Sequence, residues 1–484
     1  MHPHSLARTR LTRRTFLGRS SIGVGSAALL SLLDPQLLRA GPAGEARAGL
    51  PPGTGGLPHF APRAKRVIFL CMGGGPSHLE TFDYKPKLAE MDGQPMPGSY
   101  TAGMPIAQLQ GQQLRCQGPL TEFRKHGASG QEISDFLPWT ARLADDIAIV
   151  RSMVTEQINH DPAHTFMNTG TSISGRPSMG AWINYGLGSE ADDLPGFVVL
   201  TSTGGRNPQP ISARQWSAGF LPSRFQGVEF NASGDPVHYV QRPAGVTDRR
   251  QRRVVDAVRQ LDGIRNETVG NPEIETRIAA YEMAFRMQTS VPGLMDIRDE
   301  PQHVLDMYGA RPGDGSFASN CLLARRLAER GVRFIHLYHR GWDHHNGLVR
   351  YMNVCCDLCD KPSWALVTDL KQRGLLDDTL VIWGGEFGRT PMAQSDKGDV
   401  GRDHHIKGFS LWMAGGGVRG GITYGATDDL GYNAVDNPVH VRDLHATMLH
   451  LLGIAHQRLS VRFQGLDLRL TGVEPARVVN DILS

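Results

Sequence analysis

Five short apolar runs constrain this chain more than any other feature, because each reads as a strand covered on both faces. The first, Arg66-Val67-Ile68-Phe69-Leu70-Cys71-Met72, runs straight into Gly73-Gly74-Gly75-Pro76, a buried strand feeding a turn. The pattern returns at 147–150, 332–337, 379–383 and 409–413, the last followed by Gly415-Gly416-Gly417. Helical patterns lie between and beyond these runs. They cover 137–143, a segment from about Asn159 to Thr169-Gly170, and much of 245–330, where Val254, Val255, Val258 and Leu261 share one helical face. Others are 320–330 closed by Gly331, 366–370 and 441–452. Residues 84–130 are polar and glycine-rich and read as a surface excursion. No internal repeat is present. Two-faced strands alternating with helices predict an α/β fold, a mostly parallel sheet with helices on both faces. Ligands of such sheets sit at the carboxyl ends of the strands.

The amino-terminal 48 residues do not belong to that pattern. Thr12-Arg13-Arg14-Thr15-Phe16-Leu17 is followed by an uncharged apolar stretch from 22 to 33, and Ala46-Arg47-Ala48 offers a small-x-small cleavage site, with Ala40 as an alternative. This order is that of a twin-arginine signal, and the stretch is short of the roughly 20 residues a membrane span needs. The expected partner is the twin-arginine translocation machinery and the expected location is the periplasm or beyond, with no membrane span after the signal is removed. Residues 49–64 read as a linker and 65–484 as one α/β domain with insertions. The chain has 51 basic and 48 acidic residues; without the signal it keeps 44 and 46, so its basicity gives no case for a nucleic-acid partner. The roughly 435 remaining residues can bury a large core. Six cysteines are too sparse for a disulfide scaffold, and Cys356 and Cys359 lack the second pair of a zinc knuckle.

The residues flanking the strands carry the chemistry. After the first come His78, Glu80 and Asp83; after the second, Asn159-His160-Asp161-Pro162-Ala163-His164. Gly341-Trp342-Asp343-His344-His345-Asn346 follows the strand at 332–337, and Gly384-Gly385-Glu386-Phe387-Gly388-Arg389 the strand at 379–383. Arg402-Asp403-His404-His405 stands just before the last strand. Imidazole and carboxylate suit zinc and other first-row metals, and carboxylates also suit calcium, magnesium or manganese. Two Asp-His-His triplets beside buried strands predict a divalent metal at this rim, able to polarise an ester oxygen.

With these motifs in place, the sequence resembles the alkaline phosphatase and sulfatase superfamily and, within it, the sulfatase-like domain-of-unknown-function family 1501. The most specific segments are GGGPSHLETFDYKP at 73–86, NHDPAHTFMNTG at 159–170, GWDHHN at 341–346, WGGEFGRTP at 383–391, GRDHH at 401–405 and RFQGLDLRL at 462–470. The resemblance implies a nucleophile nine residues before Thr169, which is His160. It implies one metal held by Asp343, by His345 (His344 competing) and by His404 or His405. Glu386 matches the acid of a second metal, but Phe387 stands where that site's histidine is expected. The acid expected directly after the first strand is replaced by glycines, leaving His78 or Asp83 to substitute. A sulfatase makes formylglycine from cysteine or serine at the nucleophile position, so His160 argues against that chemistry. Cys321, followed by Arg325, lacks the accompanying proline.

Three roles stay open for His160: covalent nucleophile, metal ligand, or structural residue. Arg389 is expected either to hold an anionic substrate or to form a salt bridge. The expected activity is metal-dependent hydrolysis of a small or polymeric phosphate or sulfate ester, the metal zinc before calcium, magnesium or manganese, with His160 and Arg389 catalytic and Asp343, His345, His404, His405 and Glu386 on metal. The rival expectation is a non-catalytic binding protein that keeps the fold and one structural metal.

Overall fold

The computed structural model describes residues 56–205, 209–231, 233–237, 246–269, 272–395 and 399–484. The expected signal at 1–48 and residues 49–55 of the linker lie outside the described residues. Among the described residues, no helix is long and apolar enough to cross a membrane.

The sheet strands are β1 (Arg66–Gly73), β2 (Ile147–Val154), β3 (Phe197–Thr201), β4 (Val228–Phe230), β5 (Phe334–Arg340) and β6 (Thr379–Gly384). A separate two-stranded ribbon, β7 (Gly388–Ala393) and β8 (Arg402–His405), precedes the sheet strands β9 (Phe409–Ala414), β10 (Ile422–Tyr424) and β11 (Val439–His440). Nine strands make the main sheet, in the order β10-β2-β9-β6-β1-β5-β3-β4, with β11 also on β2. All pairings are parallel except those of β9, which runs antiparallel to both β2 and β6. The sheet is thus mostly parallel, as the two-faced strands require.

Alternation in β1 shows how the layers form. Ile68, Leu70 and Met72 face one core, while Val67, Phe69 and Cys71 face the other. The first core is covered by α5 (Phe317–Glu329) and α6 (Leu348–Gln372), through residues such as Leu322, Leu323, Leu366 and Leu370. The second is covered by α1 (His160–Thr169), α2 (Met179–Leu187) and α7 (Val441–Leu451), through Phe166, Trp182 and Met448. Each large apolar side chain buried this way contributes about 1.5–3 kcal/mol.

Three sequence expectations change. The helix expected over 137–143 is a single 3-10 turn, Thr140–Leu143; Pro138 removes a donor at its start. The helical region at 245–330 includes the hairpin α3 (Asp248–Val269) and α4 (Pro272–Met295), but α3 buries Val255 and leaves Val254 and Leu261 52% and 68% exposed. The four apolar residues are therefore not a core-facing stripe. The excursion at 84–130 is not merely superficial either. It has its own small core around Leu88, Met96, Leu109, Cys116 and Met392, and it packs on the ribbon.

The 3-10 turn is tied to α6 by Asp360, whose carboxylate accepts from Trp139 N at 2.7 Å, Thr140 N at 2.7 Å and Thr140 Oγ1 at 2.6 Å. Burial nevertheless outweighs these bonds and lifts its pKa to about 6. Unfolded, the group titrates near about 3.9. As pH rises across that interval, the unfolded chain releases a proton that the folded chain keeps. The stabilisation from Asp360 is therefore greatest below about pH 4 and falls by roughly 3 kcal/mol on reaching pH 6–7. Urea unfolding at several pH values should show the gap between wild type and Asp360→Ala narrowing as pH rises through this window.

Candidate metal centre

Four strand ends and one helix start meet at the carboxyl rim. β1 ends in Gly73, and Gly74 follows at φ +124°, where a Cβ would stand 2.5 Å from Asp343 N and 2.6 Å from the Trp342 carbonyl carbon. Only glycine lets these two turns touch. The same turn aims the Gly74 N–H at Glu386, 3.1 and 3.2 Å from its two carboxylate oxygens. β5 leads into Asp343 and His345, β6 into Glu386, and β2 leads towards α1, whose first residue is His160. His404 arrives from β8. Its position depends on β9 running backwards, because that reversal places the segment before β9 at the same rim as the segments after the parallel strands. Gly401 permits the approach: a Cβ there would stand 2.0 Å from the His345 carbonyl carbon.

The donors converge on Asp343 Oδ1. His345 Nε2 lies 2.8 Å from it, His404 Nε2 3.2 Å and His160 Nε2 3.2 Å, and the two nitrogens of His345 and His404 are 2.9 Å apart. The far side of each ring meets an acceptor: His345 Nδ1 faces Gln394 Oε1 at 2.5 Å, His404 Nδ1 faces Ile158 O at 2.8 Å, and His160 Nδ1 faces Glu386 Oε1 at 2.6 Å. An acceptor at Nδ1 places the proton there and leaves Nε2 a lone pair. The lone pairs of His345 and His404 therefore point at each other and at a carboxylate oxygen, an arrangement that repels itself unless a cation lies between. His160 fits the same pattern, with a carboxylate behind it as metal-bound imidazoles usually have. Donors held at about 2.0–2.2 Å from one ion stand roughly 3 Å apart, and these do.

Burial and neighbouring charges set the ionisation of the cluster. Burial would raise the Asp343 carboxyl, but the three histidines around it and the Arg389 guanidinium hold it far below the usual carboxylate range. Burial likewise opposes ionisation of Glu386, yet His164 and His160 draw its pKa down to about 2. Burial pushes His404 down to about 4 despite Asp343, keeping its ring neutral. Burial also works against protonation of His160, but its two carboxylates raise it above the ordinary histidine value. The side chains of His160, Asp343 and His345 are 14%, 15% and 19% exposed, so the cluster opens to solvent.

The remaining candidates fall elsewhere. His405, beside His404 on β8, points the opposite way, as neighbours on a strand must: its Nε2 bonds Tyr432 O and its ring packs on Tyr432. It stands outside the cluster. His344 turns inward to Gly341 O at 2.9 Å. His78 bonds Gly431 O, and Asp83 pairs with Lys85 and Thr427, so neither replaces the acid expected after β1. Arg389 is fully buried and its nitrogens are committed to the carbonyls of Gly74, Gly75, Trp342 and Arg402 and to Asp343 Oδ1 at 2.7 Å. Of the two expectations for Arg389, the salt bridge, to Asp343, is present. Phe387 packs its ring on His160 and His404, at 4.9 and 4.6 Å, giving an apolar wall where a second metal's histidine was expected. Glu386, His160 and His164 form a second close group, with His164 Nε2 3.4 Å from Glu386 Oε1. Cys321 lies in the core within α5, and Arg325 pairs with Glu300, Glu329 and Asp369. All six cysteines are free and buried.

The supporting residues escaped sequence reading. Gln394 donates to Gln108 Oε1 at 2.8 Å while holding His345, and Asp403 accepts from the backbone of Gln108 and Leu109. No motif marks either glutamine; only the fold brings them together.

Fold and site together define an α/β protein with a sheet covered on both faces and a histidine–carboxylate cluster at its carboxyl rim. The chain belongs to the family described as "Protein of unknown function (DUF1501)", whose sequence model matches residues 64–483. No curated protein matches it. Among solved structures it is similar to a lipoteichoic acid synthase from Listeria monocytogenes (10% identity, 82% of this chain and 74% of that chain, TM-score 0.34). It is also similar to a sulfatase from a Pseudoalteromonas species (12%, 82% and 69%, 0.33). A third is an alkaline phosphatase from the Antarctic bacterium TAB5 (12%, 74% and 94%, 0.28).

Proposed function

We propose that this chain is an exported metal-dependent hydrolase of phosphate or sulfate esters that works without formylglycine. The observation that carries the reading is the convergence of His345 Nε2 and His404 Nε2, 2.9 Å apart, on Asp343 Oδ1. Asp343, His345, His404 and His160 would hold one divalent ion. Three imidazoles and one carboxylate favour zinc over calcium, magnesium or manganese. The ion would supply Lewis-acid polarisation of an ester oxygen. His160 is then a ligand rather than a nucleophile, since Glu386 and Asp343 occupy its two nitrogens. Glu386 fixes the proton on His160 Nδ1, Arg389 balances Asp343, and Phe387 keeps water from one side of the imidazoles. The substrate, small or polymeric, would enter from the solvent side where His160, Asp343 and His345 are exposed.

A second reading rests on the same ligand count. Four protein donors close a tetrahedral shell, the arrangement of structural zinc, and would suit a binding protein with no turnover. Metal analysis of purified protein followed by assays on aryl phosphates and aryl sulfates separates the two. Bound zinc with chelator-sensitive turnover supports the hydrolase. Bound zinc without turnover on either ester supports the binding protein, and a failure to bind any divalent ion removes both.

Two further outcomes are expected. Glu386→Gln should weaken zinc binding by about 10–100-fold, the usual effect of losing the carboxylate behind a ligating imidazole, measured by competition with a chromophoric chelator. Replacing both Arg13 and Arg14 by lysine should leave the protein in the cytoplasmic fraction, read by cell fractionation, as twin-arginine export requires.

A further inference from the structure

Away from the histidine cluster, the carboxyl-terminal end of α1 meets the segment 461–474 around a cavity of about 270 Å³. α1 starts at His160 and reaches this cavity at Thr169, about 13.5 Å away at 1.5 Å per residue. Trp182, Phe220, Leu468 and Leu470 form its apolar walls. Trp182 is 1% exposed, so the wall is a fixed part of the core. Phe220 is braced by Phe463, stacked at 4.8 Å with an 18° interplanar angle. Ile173 and Val473, which also line it, are 61% and 83% exposed. Large apolar side chains left in water around an apolar cavity mark a ligand site.

The charges of the lining specify the ligand. Three arginines, Arg176, Arg442 and Arg469, face two acids, Asp467 and Glu474. Arg442 is held by Glu156 at 2.6 Å, and Asp467 is paired with Arg462 at 3.6 Å. Arg176 lies over the Phe220 ring at 5.8 Å, and among the described residues neither it nor Arg469 is in an ion pair. Two uncommitted guanidinium groups thus edge an aromatic and aliphatic pocket, a combination that suits an anion attached to an apolar body.

We propose that this cavity is a second ligand site, separate from the histidine cluster, that takes an amphipathic organic anion: an aryl or alkyl group in the pocket with its sulfonate, sulfate, phosphate or carboxylate on Arg176 and Arg469. The site needs no metal and does not rest on the hydrolase reading.

Calorimetric titration with 1-naphthalenesulfonate, which contains no ester bond, tests it on the full-length protein. Saturable one-to-one binding is expected, with the neutral alcohol 1-naphthalenemethanol and inorganic sulfate each binding far more weakly. Arg176→Ala and Arg469→Ala should each weaken binding about tenfold, the size of one charge-assisted hydrogen bond. Ile173→Trp, which enlarges an exposed lining residue, should block it with an unchanged thermal transition. Asp343→Asn should leave it intact. Absence of saturable binding, or binding lost in Asp343→Asn but kept in Ile173→Trp, overturns the proposal.

Discussion

Asp343→Asn protein is expected to keep its fold and lose its metal. Oδ1 of Asp343 is the point on which His160, His345 and His404 converge and the partner of the buried Arg389. An amide of the same shape preserves packing but removes the anionic donor, so zinc content should drop from about one ion per chain to a small fraction of that. Stability offers an independent reading. Zinc at a hundred times its dissociation constant should raise the unfolding free energy of the wild type by about 2.7 kcal/mol and leave Asp343→Asn unmoved. Equal stabilisation of both proteins would show that zinc binds elsewhere, and would remove the cluster from the mechanism.

Glu80→Ala should be the most damaging single change to the fold near the site. Glu80 and Arg402 are both fully buried, and the guanidinium meets the carboxylate at 2.6–3.2 Å through Nε and one terminal nitrogen. Arg402 also donates to the carbonyls of Gln117, Gly118 and Thr390, so it joins the turn after β1, the 84–130 excursion and the β7–β8 ribbon. Removing one partner leaves a buried charge uncompensated, at a cost of about 3–5 kcal/mol. Urea unfolding should show that loss, and Glu80→Gln, which keeps an acceptor, should lose less. His404 sits two residues from Arg402, so zinc affinity should fall in Glu80→Ala as well. A destabilised variant with undiminished zinc affinity would show that the ribbon is positioned without this pair.

Much of the architecture was legible because both faces of a parallel strand are covered: the apolar runs before Gly73, Gly384 and Gly415 announce β1, β6 and β9. Direction was not legible. Nothing in Phe409 to Ala414 tells that β9 runs against its neighbours, although His404 reaches the rim only for that reason. Asp343 and His345 were legible from their place after a strand. His404 and His405 could not be told apart, since a four-residue ribbon has no periodicity to read and the choice rests on which way β8 faces. Arg389 could be read as substrate ligand or salt bridge; that it pairs with Asp343 shows only in the fold. The helix expected at 137–143 is cut to one turn by Pro138 although Leu137, Ala141 and Leu143 are buried, whereas α3 forms as read but leaves most of its apolar residues in water. Short apolar spacing does not reveal whether a neighbour exists to cover it.

The reversed β9 also bears on how such a site can change. β6 and β9 are paired neighbours, with Trp383 opposite Trp412, so everything from Gly385 to Gly408 leaves and rejoins the sheet at adjacent points. Lengthening such an excursion costs little, about 0.6 kcal/mol for each doubling. Glu386, Phe387, Arg389, Gln394 and His404 all ride on it. One of the four converging donors, and the residues that brace two of the others, are thus carried by a single excursion whose length can change while the strand order of the scaffold stays as it is.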